Sequence, residues 1–383
     1  MRSAPGRAAT ANSEFSQYEP AVSDLNGMTF EALRIWWAAA CLVLCACVVP
    51  CLSARYRKIG IAVAFCAWIA VFVSSGLRSE TLNSDTESYV LYAQSAVDSS
   101  LGDYLSSVRL EPGWSTMVHA MAQVLVDERS VLMACALATA LLLAWPLRTA
   151  RALVPLAMLH YLAEFYLNND LAIIRHSFAT ALSLALVVSL EERARTAAPW
   201  PRRMHAAALM VPPFFHLGTI GVLAAGVGAR GSALRIVLQA TGLAVVAWVI
   251  LHTVGATILP ERVLDFDAEN TREIRGYVHL ALLLGIVAID ARAFRSTVEG
   301  NPYVSFTYLA GIALSVAVQG FPLLTRIRQV LLEFGILFYP LLLARSSNRN
   351  RFWTAFSAYA LFILFIGGYT IETETDKYNE GFF

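Results

Sequence analysis

The most regular feature of the chain is a succession of long apolar segments separated by mostly short polar ones. Many approach the length of about 20 residues that an α-helix needs to cross a bilayer. The alternation of apolar and polar residues that a membrane barrel requires is missing. We predict an all-α, polytopic integral membrane protein of about 11–12 transmembrane or membrane-embedded helices. The apolar segments lie at 34–54, 59–77, 111–126, 131–147, 152–168, 171–190, 206–229, 234–254, 277–294, 303–323, 327–344 and 352–369.

The polar stretches set the expected organisation. Residues 1–33 contain no apolar run, which predicts a disordered leader and no cleavable signal peptide. Residues 34–370 form one membrane domain, because even the longer gaps, 78–110 and 255–276, leave no room for a soluble domain. Residues 371–383 form an acidic tail. Of the 383 residues, 57% are hydrophobic and 15% charged, and the net charge of +1 gives no reason to expect a nucleic-acid partner.

Arginine-rich loops orient the chain, because short cytoplasmic loops carry an excess of Lys and Arg. The loop 78–110 and the tail are acidic, which places them and the N-terminus outside. Four apolar segments separate the outside loop from 193–203, where an odd number of crossings is required. "VPPFFH" also interrupts 206–229, so we expect broken or re-entrant segments beside a cavity. The loops read as cytoplasmic are 53–58, 193–203, 291–295 and 344–351.

Charge is concentrated in the loop 78–110, beside a bilayer. Ser84 and Glu87 have the spacing of a capping box. Residues 85–97 place apolar side chains at intervals of three and four. We therefore predict an amphipathic helix along the outer membrane surface. The dipole of that helix would lower the pKa of Asp85.

Asp85 and Glu111 each have two interpretations. Asp85 either only starts the helix or belongs to a site, and the first interpretation leaves Arg78 unexplained. Glu111 precedes Pro112, which suits the first turn of a helix. Glu111 then either faces water at the membrane interface or faces the same pocket as Asp85.

Four further residues are costly or unusual where they stand. Arg175 lies in an apolar span at a cost of roughly 2.5–3.5 kcal/mol, so it faces a cavity or a partner, or it snorkels towards Asp170. His216 follows the Pro-Pro break and is either a hydrogen-bonded packing residue or part of a cavity. Arg326 and Arg328 stand at the entry of a span, either as interfacial anchors or as ligands of an anion.

Metal and cofactor sites are not expected. The six cysteines lie in or beside apolar runs and suit helix packing. Cys41 and Cys45 share a helix face, but no histidine or acid stands nearby to complete a metal shell. No paired acids or histidines have the spacing of metal ligands.

The order of the motifs resembles the EpsG family of bacterial exopolysaccharide and O-antigen polymerases, which are Wzy-like. The motifs are "GLR" at 76–78, Asp85-x-x-x-Tyr89, "EPGW" at 111–114, Tyr166-x(8)-Arg175 with Ala179, and "FH" at 215–216. The resemblance implies a glycosyltransferase that joins oligosaccharide units carried on undecaprenyl diphosphate. The reaction would take place at the outer face of the bacterial cytoplasmic membrane, on a GT-C-like fold.

That reaction needs cations for the departing diphosphate and a base for the attacking hydroxyl. Candidates for the cations are Arg78, Arg175, Arg326 and Arg328, which would make the enzyme independent of metal. Glu111 is the expected base, and Asp85 would orient the acceptor sugar or an arginine. Tyr89 and His216 are further candidates for substrate binding.

Two other classes remain open. One is a GT-C-type glycosyltransferase that moves a single sugar from a polyprenyl monophosphate. The other is a non-enzymatic component for export or flipping of lipid-linked oligosaccharide, which would show a cationic cavity without an essential carboxylate. Beyond the bilayer and the lipid-linked substrate, partners would come from polysaccharide export or chain-length control.

Overall fold

The computed structural model describes residues 28–79, 84–97, 99–108, 110–125, 127–167, 173–196, 203–204, 207–228, 231–250, 253, 274–317 and 322–379. These residues form helices and no strand beyond one isolated bridge, which confirms the all-α fold. The α-helices are α1 Phe30–Leu52, α2 Arg57–Gly76, α3 Ser84–Val97, α4 Leu101–Ser107, α5 Pro112–Ala122, α6 Glu128–Leu147, α7 Val154–Tyr161, α8 Ile174–Thr196, α9 Leu223–Gly228, α10 Ala233–Ile250, α11 Arg275–Gly300, α12 Pro302–Ala317, α13 Pro322–Leu332, α14 Gly335–Leu343 and α15 Arg349–Asn379.

Within the described residues, seven helical segments are long and apolar enough to cross a membrane, which confirms a polytopic membrane protein. They are Phe30–Leu52, Arg57–Gly76, Glu128–Tyr166, Ile174–Arg195, Ala233–Ile250, Arg275–Gly300 and Arg349–Thr373. The other predicted segments form shorter helices, such as α5, α12 and α13. Within the described residues, these shorter helices fall below the length of a full crossing.

The predicted break in segment 206–229 is confirmed. A 3-10 turn covers Pro212–Phe214, and a second covers Leu217–Val222. Proline donates no backbone hydrogen bond and cannot continue an α-helix through this point. A second break follows α6, where Arg151 takes a positive φ of 53° inside the 3-10 segment Arg148–Leu153.

The start of α1 and the end of α2 lie at the same end of the bundle. The backbone N–H of Met28 donates to Leu77 O at 2.9 Å, and that of Ser79 donates to Met28 O at 3.0 Å. Residues 1–27 of the predicted leader lie outside the described residues, and α1 already begins at Phe30. The predicted tail is helical as far as Asn379.

The predicted amphipathic helix is α3, and it packs on the protein. Its buried apolar residues are Tyr89, Val90, Ala93 and Ala96, whereas Val97 is exposed. This face joins a small core with Trp114 of α5 and Phe178 of α8, apart from the large core of the main bundle. Helix α8 contributes to both clusters, with Ile174 and Phe178 in the small one and Ala181 and Leu184 in the large one.

Candidate functional site

Charged side chains converge where α5, α8 and the second 3-10 segment begin. Glu111 is the residue before α5, Arg175 is the second residue of α8, and Leu217 opens the 3-10 segment. Gly113 makes the approach possible, because a Cβ atom there would lie 2.7 Å from the carbonyl oxygen of Phe214. Helix N-termini carry unpaired N–H groups and a partial positive charge, so this end of the bundle favours anions.

The Glu111 carboxylate lies at the centre of this site. Its Oε2 accepts a hydrogen bond from Arg175 Nη1 at 2.5 Å, and its Oε1 accepts one from the Leu217 backbone N–H at 3.3 Å. His216 Nδ1 lies 3.3 Å from the same Oε1. Burial alone would raise the pKa of Glu111, but the adjacent His216 ring and the Arg175 charge outweigh it and lower the pKa to about 2. Glu111 is therefore ionised throughout the physiological range.

Asp85 belongs to the same site, but its pKa is shifted in the opposite direction. Burial raises its pKa above the usual value and outweighs the charges of Arg175, Arg326 and Arg78, which act to lower it. The expectation that the helix dipole lowers this pKa is therefore wrong, since loss of solvent is the larger effect. Tyr89, one turn along α3, is buried with its hydroxyl beside the backbone amide of Arg175. Asp85 is thus the carboxylate here that takes up a proton more readily.

Three of the four predicted arginines gather around Asp85. Arg78 is buried, Arg175 is about one-fifth exposed, and Arg326 is exposed on α13. Gly218 lets α13 come close, because a Cβ atom there would lie 3.3 Å from Arg326 Cβ. Residues two positions apart on a helix face different directions, so the buried Arg328 points away from Arg326.

The described partner of Arg175 is Glu111. Asp170, towards which Arg175 was expected to snorkel, lies outside the described residues. The ion pair with Glu111 is held by side chains that are each about one-fifth exposed. Arg175 thus lies at the site and shares its charge between Glu111, Asp85 and Tyr89.

Two further residues, His176 and Glu333, lie behind this site and were not predicted from the sequence. His176 packs its ring on His216, with 4.8 Å between the ring centres, and its Nε2 lies 3.2 Å from Glu333 Oε1. Both His176 and Glu333 are buried. Side-chain contacts therefore lead from Glu111 through the two packed histidine rings to Glu333. The two ends of the His176–Glu333 contact are 157 positions apart, so no local pattern could have revealed it.

A second polar cluster is buried in the main bundle. The two oxygens of Glu164 lie 2.7 Å from His160 Nε2 and 2.7 Å from His279 Nε2. The other ring nitrogens lie 2.8 Å from the hydroxyls of Tyr359 and Tyr308. No paired acids or histidines have the sequence spacing of metal ligands, yet the fold brings His160, Glu164 and His279 together, the last from 115 positions away.

Two imidazole nitrogens and a carboxylate are a donor set that zinc accepts. The separations of 2.7 Å, however, are those of direct N–H···O hydrogen bonds. As it stands, the cluster is a carboxylate held between two histidines, each oriented in turn by a tyrosine. Metal independence of the reaction stays a prediction.

Comparison with known proteins bears on the same region. The model of the EpsG family matches residues 61–196, which include Arg78, Asp85, Glu111 and Arg175. His216 and Arg326 lie beyond the matched residues. Neither the curated proteins nor the solved structures give a significant match. The resemblance to the EpsG family is thus confirmed over residues 61–196 of this multi-pass membrane protein, and these residues are called the EpsG family region below.

Proposed function

We propose that this protein is a Wzy-like glycosyltransferase that joins undecaprenyl-diphosphate-linked oligosaccharide units into exopolysaccharide, O-antigen or capsule. It acts at the outer face of the bacterial cytoplasmic membrane. The observation that carries the proposal is the convergence of Arg78, Arg175 and Arg326 on Asp85 and Glu111 at one end of a membrane bundle. Most of these residues lie in the EpsG family region.

The arginines suit the donor diphosphate. A guanidinium binds phosphate oxygens through a planar fork and keeps its charge when partly buried. The first turn of α8 adds backbone N–H groups beside Arg175. Charge grows on the diphosphate as its bond to the sugar breaks, and cations already in position stabilise that charge.

The carboxylates divide the remaining work. In the reaction, an acceptor hydroxyl oxygen attacks the anomeric carbon of the donor, the bond to the diphosphate oxygen breaks, and undecaprenyl diphosphate leaves. Asp85 takes the hydroxyl proton, because a carboxylate with a raised pKa is the better base. Glu111, with a pKa of about 2, holds Arg175 and His216 in position. This exchanges the roles that the sequence analysis assigned to the two acids.

The direction of α8 supports the outer face. The helix begins beside the site and ends in the arginine-rich loop 193–203, which the positive-inside bias assigns to the cytoplasm. The site then lies across the bilayer from that loop.

The experiment is turnover by purified protein in nanodiscs supplied with undecaprenyl-diphosphate-linked oligosaccharide. A ladder of products differing by one repeat unit is the expected result. Arg292→Gln, which changes an exposed arginine on α11, is the matched control for substitutions that remove the charge of a site arginine. Absence of a ladder together with transfer of single sugars from a polyprenyl monophosphate would overturn the proposal.

A further inference from the structure

A second charged cavity lies at the other end of α8. Its volume is about 370 Å³, and it is enclosed by the 3-10 segment after α6, the end of α8, the start of α12 and the end of α14. Its charged lining residues are Arg148, Arg151, Arg195, Arg345, Glu191 and Glu192. Four guanidiniums against two carboxylates leave an excess of positive charge.

The cavity and the candidate active site are one bilayer apart. Arg175 is near the start of α8, and Arg195 is near its end. With a rise of 1.5 Å per residue, the two positions are about 30 Å apart along the helix axis. This equals the thickness of a typical hydrocarbon core of about 30 Å. The cavity therefore opens at the opposite membrane surface and does not belong to the site described above.

Neutral acceptors hold two of the arginines. Arg195 Nη2 donates to Gly300 O at 2.6 Å and to Asn301 Oδ1 at 2.5 Å. Arg345 Nη1 donates to the carbonyl of Ser296. Carbonyl oxygens fix a guanidinium without cancelling its charge, and each guanidinium has five N–H donors. Both arginines are thus fixed in position while their positive charges are not neutralised by these acceptors.

The two glutamates of the lining are already engaged. Glu191 Oε2 accepts the backbone N–H of Tyr303 at 2.9 Å and lies buried at the start of α12. Glu192 pairs with Arg148 through both oxygens, at 3.0 and 3.2 Å. Glu191 Oε1 is 4.0 Å from Arg195, at the limit of an ion pair. The charges of Arg151 and Arg345 are left without a carboxylate partner among the described residues.

Arg151 has an unusual backbone conformation. Its φ of 53° is uncommon for a residue with a side chain, and such conformations cluster at ligand-binding positions. Its side chain is exposed and makes no hydrogen bond or ion pair within the described part of the chain. Burial and the charges of Arg195 and Arg151 lower the pKa of Arg345. Like charges are thus held together around an open space.

We propose that this cavity binds the phosphate of an anionic membrane lipid, such as phosphatidylglycerol. The excess charge meets the phosphate, while Val188, Val304 and Leu341 supply apolar lining for the glycerol and the upper acyl chain. Basic pockets between helices at a membrane surface suit such headgroups. Arg151 and Arg345 hold the phosphate. This site is independent of the proposed polymerase reaction.

Native mass spectrometry of the full-length protein in a neutral detergent tests the assignment. Phosphatidylglycerol, phosphatidylcholine and inorganic phosphate are titrated separately against wild type, Arg151→Gln, Arg345→Gln and the control Arg292→Gln. We expect phosphatidylglycerol to bind in preference to phosphatidylcholine. Each cavity substitution should weaken that binding about fivefold, because one arginine near anionic lipid contributes about 1 kcal/mol.

The control variant should bind phosphatidylglycerol like wild type. Arg345 also holds Ser296, whereas Arg151 has no described side-chain partner, so Arg151→Gln remains informative if Arg345→Gln does not fold. Equal binding of both lipids, or an equal loss in Arg292→Gln, would overturn the proposal. Displacement of the lipid by inorganic phosphate at the same concentration would overturn the lipid as ligand and show that the cavity takes free phosphate.

Discussion

The substitution Arg175→Lys distinguishes between two possible requirements at the start of α8. Either a positive charge alone is sufficient, or the planar pair of guanidinium donors is needed. Lysine keeps the charge, but it lacks the planar pair of donors that can hold Glu111 and a phosphate together. In the structure, Arg175 Nη1 already donates to Glu111 Oε2, whereas Nε has no hydrogen-bond partner among the described residues. We expect a severe loss of turnover with weaker binding of the lipid-diphosphate donor.

The magnitude follows from Glu111. Its pKa falls from 4.5 to about 2, and each unit corresponds to about 1.4 kcal/mol, so the surroundings, with the cost of burial included, stabilise the carboxylate by about 3 kcal/mol. His216 and Arg175 share that stabilisation. Loss of a positioned donor to developing charge typically lowers kcat 10²–10³-fold. For Arg175→Lys we expect kcat/KM to fall about 100-fold, part of it through the displaced Glu111.

The assay is initial-rate turnover of lipid-linked repeat units in nanodiscs, with donor binding measured separately. Thermal unfolding shows whether the variant is folded. Arg292→Lys makes the same chemical change on an exposed face of α11 and should be silent. A folded Arg175→Lys variant that polymerises at nearly the wild-type rate would refute the reasoning, since charge alone would then suffice.

Four further predictions follow from the same structure. Glu111→Gln and Asp85→Asn should each abolish polymer while the amount of protein in the membrane is unchanged; wild-type polymer from both would contradict their roles. Turnover should fall on acidification at a pH above the usual aspartate range, because a base acts deprotonated and burial raises the pKa of Asp85. Glu111, with a pKa of about 2, stays ionised throughout, so a pH–rate profile unaltered in Asp85→Glu would contradict the assignment. EDTA should leave turnover unchanged, because arginines face Asp85, and activity restored only by added divalent ions would contradict this. Glu164→Gln should destabilise the protein by about 1–3 kcal/mol, because glutamine keeps only one of the two acceptor oxygens that contact His160 and His279; an unchanged unfolding temperature would show that the cluster is not stabilising.

The sequence by itself was enough for the membrane class and for much of the site. Apolar length predicts helices whatever their neighbours are, because a bilayer leaves the backbone few alternatives. The Pro-Pro pair predicts the break before His216 through a missing N–H. Arg175 could be singled out because an arginine within an apolar span needs a partner. The motif order then led to the family whose model matches residues 61–196.

Only the tertiary structure decided which side chains contact each other and how deeply each is buried. Asp85 stands in a first helical turn, where local reasoning lowers its pKa, yet burial under neighbouring segments raises it. His176 meets Glu333, and Glu164 meets His279, across more than a hundred positions each. The spacing of apolar residues predicts which face of a helix is buried, but it does not indicate which other helix packs against that face. Burial and pairing across the bundle set the charges of this site, and both arise only when the helices pack.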